Sequence, residues 1–442
     1  MIHPIVPGTG LPADLIGAKA HGLVVLWRLG LPVPPGFVID ARACRSFLRD
    51  GRFPDGLDAG LAAAVRDLGA GLVSVRSGAA VSMPGMMDTV LNVRPAEVHA
   101  AVRAVFASWN TPRSVAYRDL HEIPHDLGTA VIVQAMVFGD RDERSGTGVA
   151  FSRDPNTGAR TPFGDFLFGH QGDDVVSGRC TPLPLSELAG RDGAVWTELV
   201  AALHRIERHY RDACHVEFTV ESGRLWLLQV RPGGLTGRAT IRVAVDLADE
   251  GLIDRRTAVR RISPQHLRGA RIPRIRPGDG LDVLARGRGA CPGVATGRLA
   301  VTADRAARMA AGGPVVLVRP VTSPLDMHGL SAAAGIVTSR GGPASHAAVV
   351  ARALGRPAVV AAAALTVDAG AGCVRAGDRV VPEGTVVTID GTGGEIVLGA
   401  AATVTGEGDD QVRRLLAWAD EISGDRSARP DAKRLAAAHA RL

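Results

Sequence analysis

Aromatic residues make up only 4% of this 442-residue chain, while apolar residues reach 46%. Its cores must be built from Ala, Val and Leu, and a chain this apolar is not a solvated coil. Cysteine is sparse: Cys44, Cys180, Cys214, Cys291 and Cys373 are odd in number, scattered and without a CxxC pair. That argues against a disulfide framework and a zinc site, and for a reducing cytoplasm. The opening Met1-Ile-His-Pro-Ile-Val-Pro7 has no charged n-region and no long apolar run, and polar residues or prolines interrupt every apolar stretch. No membrane span is expected, and the reading is a soluble cytoplasmic protein. No basic run is interleaved with aromatics, which leaves nucleic-acid binding without support. Repeats and low-complexity segments are absent.

What is present fits a two- or three-domain α/β protein. Gly 54 and Pro 27 supply many turns, and the net charge of +6 comes from arginine far more than lysine, with a few arginines available for phosphates. Periodicity predicts a helix around Ala18–Leu29, a strand at Phe37–Ile39 and strands at Leu72–Val75 and Thr89–Val93. A helix over 96–109, strands at Ala130–Val137 and Gly148–Phe151, and a helix around Val195–Tyr210 follow. His215–Val220 and Leu225–Val230 flank a Ser-Gly turn and read as a hairpin. The Pro/Arg/Gly-rich stretch 263–282 reads as an interdomain linker. A second unit covers 286–402, and a hydrophilic break at 406–410 precedes two charged helical pieces. The expected domains are 1–236, a helical segment and flexible linker over 237–285, 286–402, and a linker and helical tail over 403–442.

Four features carry chemistry. The string Thr338-Ser-Arg-Gly-Gly-Pro-Ala-Ser-His346-Ala-Ala-Val-Val-Ala-Arg352 runs from a strand through a Gly-Gly-Pro turn to a helix start. There an imidazole meets free backbone N–H groups and the positive end of a helix dipole, a setting suited to a phosphoryl dianion. Lys19 follows Gly17. The loop from Arg76 to Thr89, rich in small residues, lets backbone N–H groups approach phosphates, but it lacks a Walker ending. Glu217 and Gln229 sit on adjacent strands with Arg231 on the face of Gln229, and a carboxylate beside an amide oxygen suits Mg²⁺. Each feature also has a plain reading: a capping histidine, a surface lysine, a connection between strands, a solvated hairpin face.

The histidine string resembles the phosphohistidine signature of the phosphoenolpyruvate-utilising enzymes. Gly30-Leu-Pro-Val-Pro-Pro-Gly-Phe37, Val73-Ser-Val-Arg-Ser-Gly78, Ser82-Met-Pro-Gly-Met-Met-Asp-Thr-Val-Leu-Asn92 and Val105-Phe-Ala-Ser-Trp-Asn110 are similar to pyruvate phosphate dikinase. So are Ser145-Gly-Thr-Gly-Val-Ala-Phe151, His209-Tyr-Arg-Asp212, Val216-Glu-Phe-Thr219 and Leu227-Leu-Gln-Val-Arg231, in the family's order. The resemblance implies an ATP-grasp nucleotide-binding domain followed by a swivelling phosphohistidine β/α domain. It implies His346 as the phosphorylated residue, with Lys19 and Arg76 on the ATP phosphates. It places Ser77, Gly78, Gly85, Asp88 and Thr89 along the phosphate loop, and Gln134, Met136 and Val137 near the adenine. Glu217 and Gln229 are then the Mg²⁺ site, with Arg231 beside the triphosphate. Thr322-Ser-Pro-Leu-Asp326 reads as a capped helix start near His346, and Arg340 as a charge partner for the phosphohistidine or a solvent-facing arginine.

The chain also departs from the family's pattern. A helical insertion expected between Val93 and Ala101 is missing, and the chain ends at Leu442, where the family's phosphoenolpyruvate/pyruvate barrel would begin. Ala344 stands where dikinases often have threonine, and Pro232, Gly234 and Leu235 replace more polar residues. The implied activity is ATP-dependent phosphorylation of His346 with release of AMP, phosphate taking the terminal phosphoryl group. The histidine then passes its phosphoryl group to an acceptor, with a separate barrel chain as the expected partner and a homodimer left open. A self-contained phosphotransferase for another small molecule and a non-catalytic nucleotide-binding remnant are the alternatives.

Overall fold

The computed structural model describes residues 1–81, 83, 86–172, 174, 180, 182–276, 278, 280–405 and 410–442. Gly85 of the expected phosphate loop and residues 406–409 of the hydrophilic break lie outside the described residues. The chain is mixed α/β and divides into two compact units, Met1–Gly146 with Val216–Arg231, and Thr147–His215 with Pro232–Leu442. These bounds differ from those read in the sequence, because residues 147–215 fall in the second unit.

In the first unit an antiparallel sheet has the order Ile2–Pro4, Gly36–Ile39, Ala130–Ala135, Val73–Gly78, Thr89–Val93. Alternation sends Val73, Val75, Val131 and Val133 into a core with Phe47, Phe53 and Phe106 from the covering helices. The same alternation sends Arg76, Ile132 and Gln134 to the opposite face. Strands Cys214–Glu221 and Arg224–Pro232 form the expected hairpin, with Ser222 and Gly223 at φ 50° and 76° in its turn.

The second unit is built on an eight-stranded sheet. Its centre is a parallel run of Val294–Ala300, Val315–Arg319, Gly335–Thr338 and Ala358–Val360. The helices Ala303–Ala310, Met327–Ala332 and His346–Leu354 make the three crossovers. Their small faces (Ala306, Ala347, Ala348, Ala351), with Leu330, pack with Val315, Leu317 and Ile336, which is how an aromatic-poor chain builds a core. A separate helical core joins Gly237–Asp249, Arg255–Arg261 and Pro264–Ala270 to Asp410–Ser423 and Asp431–His439, with Trp418 inside it. Part of the stretch read as a linker is therefore regular. Ser263 and His266 form a capping box, and Leu267 and Ala270 are buried. The strand Pro273–Ile275 then pairs with Thr403–Thr405. Among the described residues no helix is long and apolar enough to cross a membrane.

Arg153 is fully buried and holds this unit together. It donates to Glu207 at 2.7 Å and Glu250 at 3.1 Å and lies 3.5 Å from Asp246, joining the helices Gly193–Tyr210 and Gly237–Asp249. Removing one partner of a buried pair strands the others. Arg153→Ala should destabilise the second unit by about 3–5 kcal/mol in urea unfolding. A loss under about 1 kcal/mol would show the network to be screened like a surface pair.

Candidate functional site

The first cluster is gathered by the Arg76 guanidinium, at the exit of Val73–Gly78. Its Nη1 donates to the Leu228 carbonyl at 3.0 Å; its Nη2 faces Glu217 Oε2 at 3.3 Å and Gln229 Oε1 at 3.4 Å. Three residues 141 or more apart in sequence from their partner are thus held by one planar fork. Lys19 joins the same electrostatic cluster. Burial foremost, then the Arg76 charge, pushes its pKa down to about 7, with Glu217 pulling upward and Arg231 downward. Gln229 is 2% exposed, and its Nε2 is buried without a hydrogen-bond partner among the described residues.

The loop beyond Gly78 is held from the helical side. Asp88 N donates to Ser108 Oγ at 3.1 Å, Ser114 Oγ and Arg113 Nε donate to the Met86 carbonyl at 2.8 and 2.9 Å, and Arg113 pairs with Asp88. Met83 and Met86 pack on Trp109, under which Arg118 stacks at 4.3 Å. Ser77 and Gly78 are buried, and Thr89 is exposed opposite Arg76. Of the expected adenine-side residues, Gln134 is 1% exposed and its Nε2 donates to the Pro34 carbonyl at 2.8 Å. Val137 is buried and Met136 half-buried.

The second cluster sits at the carboxyl ends of the neighbouring parallel strands Val315–Arg319 and Gly335–Thr338, where α/β sheets bind ligands. His346 opens its helix, and its Nδ1 lies 3.0 Å from Thr322 Oγ1. Ser323 and Asp326 form the capping box expected there, and Arg319 lies 3.4 Å from Asp326. Ser345 is the N-cap residue, yet its side chain makes no cap hydrogen bond, and both its Oγ and Thr338 Oγ1 are buried without partners among the described residues. Arg340 is exposed. Burial lowers the His346 pKa, against an upward pull from Asp326.

Sequence reasoning missed Asp165, which is fully buried. It accepts from Ala344 N at 2.7 Å and from Arg288 Nη1 at 3.1 Å, so it grips the turn two residues before His346. Burial raises its pKa, and Arg288 opposes that first. A lone acid inside Phe163-Gly-Asp-Phe-Leu-Phe168 was the available signal. Arg319 was missed too, because it ends a strand without any motif of its own.

Residues 48–185 and 192–251 match the family model "Pyruvate phosphate dikinase, AMP/ATP-binding domain", and 312–394 match "PEP-utilising enzyme, mobile domain". The chain is pyruvate phosphate dikinase-like in both parts. Arg76, Glu217 and Gln229 fall inside the first match and His346 inside the second, while Lys19 precedes both. The chain is 35% identical to pyruvate, phosphate dikinase of Rhizobium meliloti over 531 residues, covering 93% of this chain and 59% of that protein. It is 35% identical to pyruvate, phosphate dikinase 2 of rice, covering 92% and 58%, and 33% identical to the Rickettsia conorii dikinase, covering 94% and 60%. The chain thus spans less than two thirds of the length of these family members. The Rhizobium match is longer than this whole chain, so that relative carries internal residues with no counterpart here. D-alanyl-alanine synthetase A of Vibrio cholerae covers 49% of this chain and 55% of its own at 12% identity and a TM-score of 0.29, too slight a likeness to bear on the fold.

The environment of His346 gives a direct check. Its imidazole should titrate with a midpoint below 6.5 by NMR, and Asp326→Asn, which removes the upward pull, should lower the midpoint further. A wild-type midpoint at or above 6.5 contradicts the buried setting.

Proposed function

We propose that this chain binds Mg·ATP at the Arg76 cluster and phosphorylates its own His346, as the dikinase name of its relatives suggests. The observation that carries the reading is the convergence of Arg76, Glu217 and Gln229 on one point beside Lys19. The charges of Arg76 and Arg231 both reach Lys19, and Glu217 faces Arg76 and reaches Lys19. An excess of positive charge in a cleft calls for a polyanion.

Lys19, Arg76 and the backbone after Ser77 hold and neutralise the phosphates. Gln134, Met136 and Val137 line the base end, and Asp88 and Thr89 border the phosphate end with Gly78. Glu217 and the Gln229 amide oxygen fit Mg²⁺, which takes few protein oxygens and completes its shell with phosphate and water. That ion would neutralise charge developing on the phosphates.

The Thr322 contact occupies His346 Nδ1 and leaves Nε2 as the nucleophilic nitrogen. Nε2 attacks the β-phosphorus; the bond from that phosphorus to the α–β bridging oxygen breaks, and AMP leaves with the electron pair. Inorganic phosphate then takes the terminal phosphoryl group as pyrophosphate, leaving phospho-His346. The family name points to pyruvate as the acceptor, reached through a barrel on another chain or another segment. A homodimer is compatible with this scheme, and so is a cytoplasmic setting.

Incubation with β-³²P-ATP and Mg²⁺ should yield an acid-labile, base-stable label in wild type, none in His346→Ala, and at least a ~10²-fold slower rate in Glu217→Ala. Label persisting in His346→Ala would falsify the assignment of the carrier. The rate should hold as pH falls toward 6.5 and fail only below it, because the lowered histidine pKa keeps the imidazole neutral.

A further inference from the structure

The helix Ala13–Arg28 is not continuous. Gly17 breaks it with φ 80° and ψ 152°, a conformation that only glycine adopts without strain. The break has a neighbour. A Cβ built on Gly17 would lie 1.7 Å from the Gly78 carbonyl oxygen and 2.5 Å from its carbonyl carbon. A side chain at 17 is thus excluded by conformation and by contact with backbone, which cannot swing away. Ala18 N donates to the Ala79 carbonyl at 3.2 Å, and the Cβ position of Gly78 lies 3.8 Å from the Lys19 Cβ. The helix therefore restarts directly on the end of the strand Val73–Gly78. Lys19 is two residues past the break, and Arg76 is two residues before Gly78. Between them the two backbones meet at Gly17 over Gly78 and at the Ala18–Ala79 hydrogen bond.

A second observation bears on Lys19 itself. Lys19 and Lys433 are the only lysines in a chain whose Lys and Arg total 51. Arginine serves nearly every other basic position. No hydrogen bond or ion pair is made by the Lys19 ammonium among the described residues, so no salt bridge locates it. Its place depends on the backbone beneath it.

We propose that Gly17 is a positioning residue for the nucleotide cleft: its break, seated on Gly78, fixes Lys19 beside Arg76. The proposal rests on the nucleotide reading for what the cation pair holds, and on the break alone for how the pair is built. A purely structural glycine would affect stability and leave the surroundings of Lys19 unchanged in the folded protein.

The shortage of lysine makes the test specific. Reductive methylation with ¹³C-formaldehyde keeps the charge and labels Lys19, Lys433 and the N-terminal amine. Lys433 is exposed and serves as the internal reference. In wild type the Lys19 signal should stand apart from that of Lys433 and move on addition of Mg·ATP. In Gly17→Ala the Lys19 signal should move toward the Lys433 position without nucleotide, and half-saturation by ATP should need about 10-fold more nucleotide or beyond. Gly10→Ala, whose Cβ meets open space, should change neither. Should Gly17→Ala fail to fold, Ala18→Pro, which removes the N–H donated to the Ala79 carbonyl at the same seat, should move the Lys19 signal in the same direction. A folded Gly17→Ala with an unchanged Lys19 signal overturns the proposal. A wild-type Lys19 signal that ignores Mg·ATP overturns the nucleotide reading instead, and the ligand-free spectra still decide the role of Gly17.

Discussion

The first unit turns on one guanidinium. Arg76 leaves the central part of an antiparallel sheet and ends on the hairpin, where its two terminal nitrogens reach a carbonyl, a carboxylate and an amide oxygen. Its side chain is only 13% exposed, so each contact counts for more than it would in water. A lysine could not replace it, because a point charge cannot address the Leu228 carbonyl and the Glu217–Gln229 pair in one plane. The geometry is also unfinished. Glu217 faces Arg76, while burial first, then the charges of Arg76 and Arg231, depress the Lys19 pKa. Glu217 Oε2 and Gln229 Oε1 face Arg76 at 3.3 and 3.4 Å, near the upper limit for a hydrogen bond, so a stronger ligand can draw them away at little loss.

The second unit solves a different problem, that of holding the His346 imidazole in place. Thr322 fixes one ring nitrogen, and Ser323 and Asp326 cap the short turn that carries Thr322. Arg319, from the adjacent strand end, meets Asp326. Behind the turn, Asp165 accepts from Ala344 N and is itself opposed by Arg288, which offsets part of its burial. Ser345 and Thr338 complete the setting with buried hydroxyls that make no hydrogen bond among the described residues, at the point where the helix His346–Leu354 presents its first free N–H groups.

Much of this was legible in the residues. The Gly-Gly-Pro turn into His346, the Thr322–Asp326 cap and the Ser-Gly hairpin all follow from local rules of spacing and capping, which act over a few residues. Glu217, Gln229 and Arg76 were legible through motifs, but their meeting on one guanidinium was not, since it spans 141 and 153 residues of chain. Asp165 was invisible for a related reason. A buried acid in an apolar strand announces that it has a partner without saying which, and its partners lie 123 and 179 residues away. The linker at 263–282 was read from proline and arginine content alone. That composition describes exposure poorly when helices such as Pro264–Ala270 can bury one face and leave their arginines outside.

Two glycines show what a glycine-bearing motif can mean. Gly17 and Gly342 precede Lys19 and His346 by two and four positions, and both would be read from sequence as flexible punctuation. In neither case is freedom of movement the point. A Cβ at Gly17 would meet the Gly78 carbonyl at 1.7 Å, and one at Gly342 would meet the Asp165 carboxylate at 2.4 Å. Each glycine admits a polar group from a distant segment into contact with the turn, and that contact places the residue two or four positions on. The turn is then more constrained than an alanine-bearing one could be. Gly10, with open space around it, marks the contrast: the same residue type carries no positional information where nothing approaches it. What distinguishes the three is the neighbour brought in by the fold, and that neighbour is what ties these two turns to their sites.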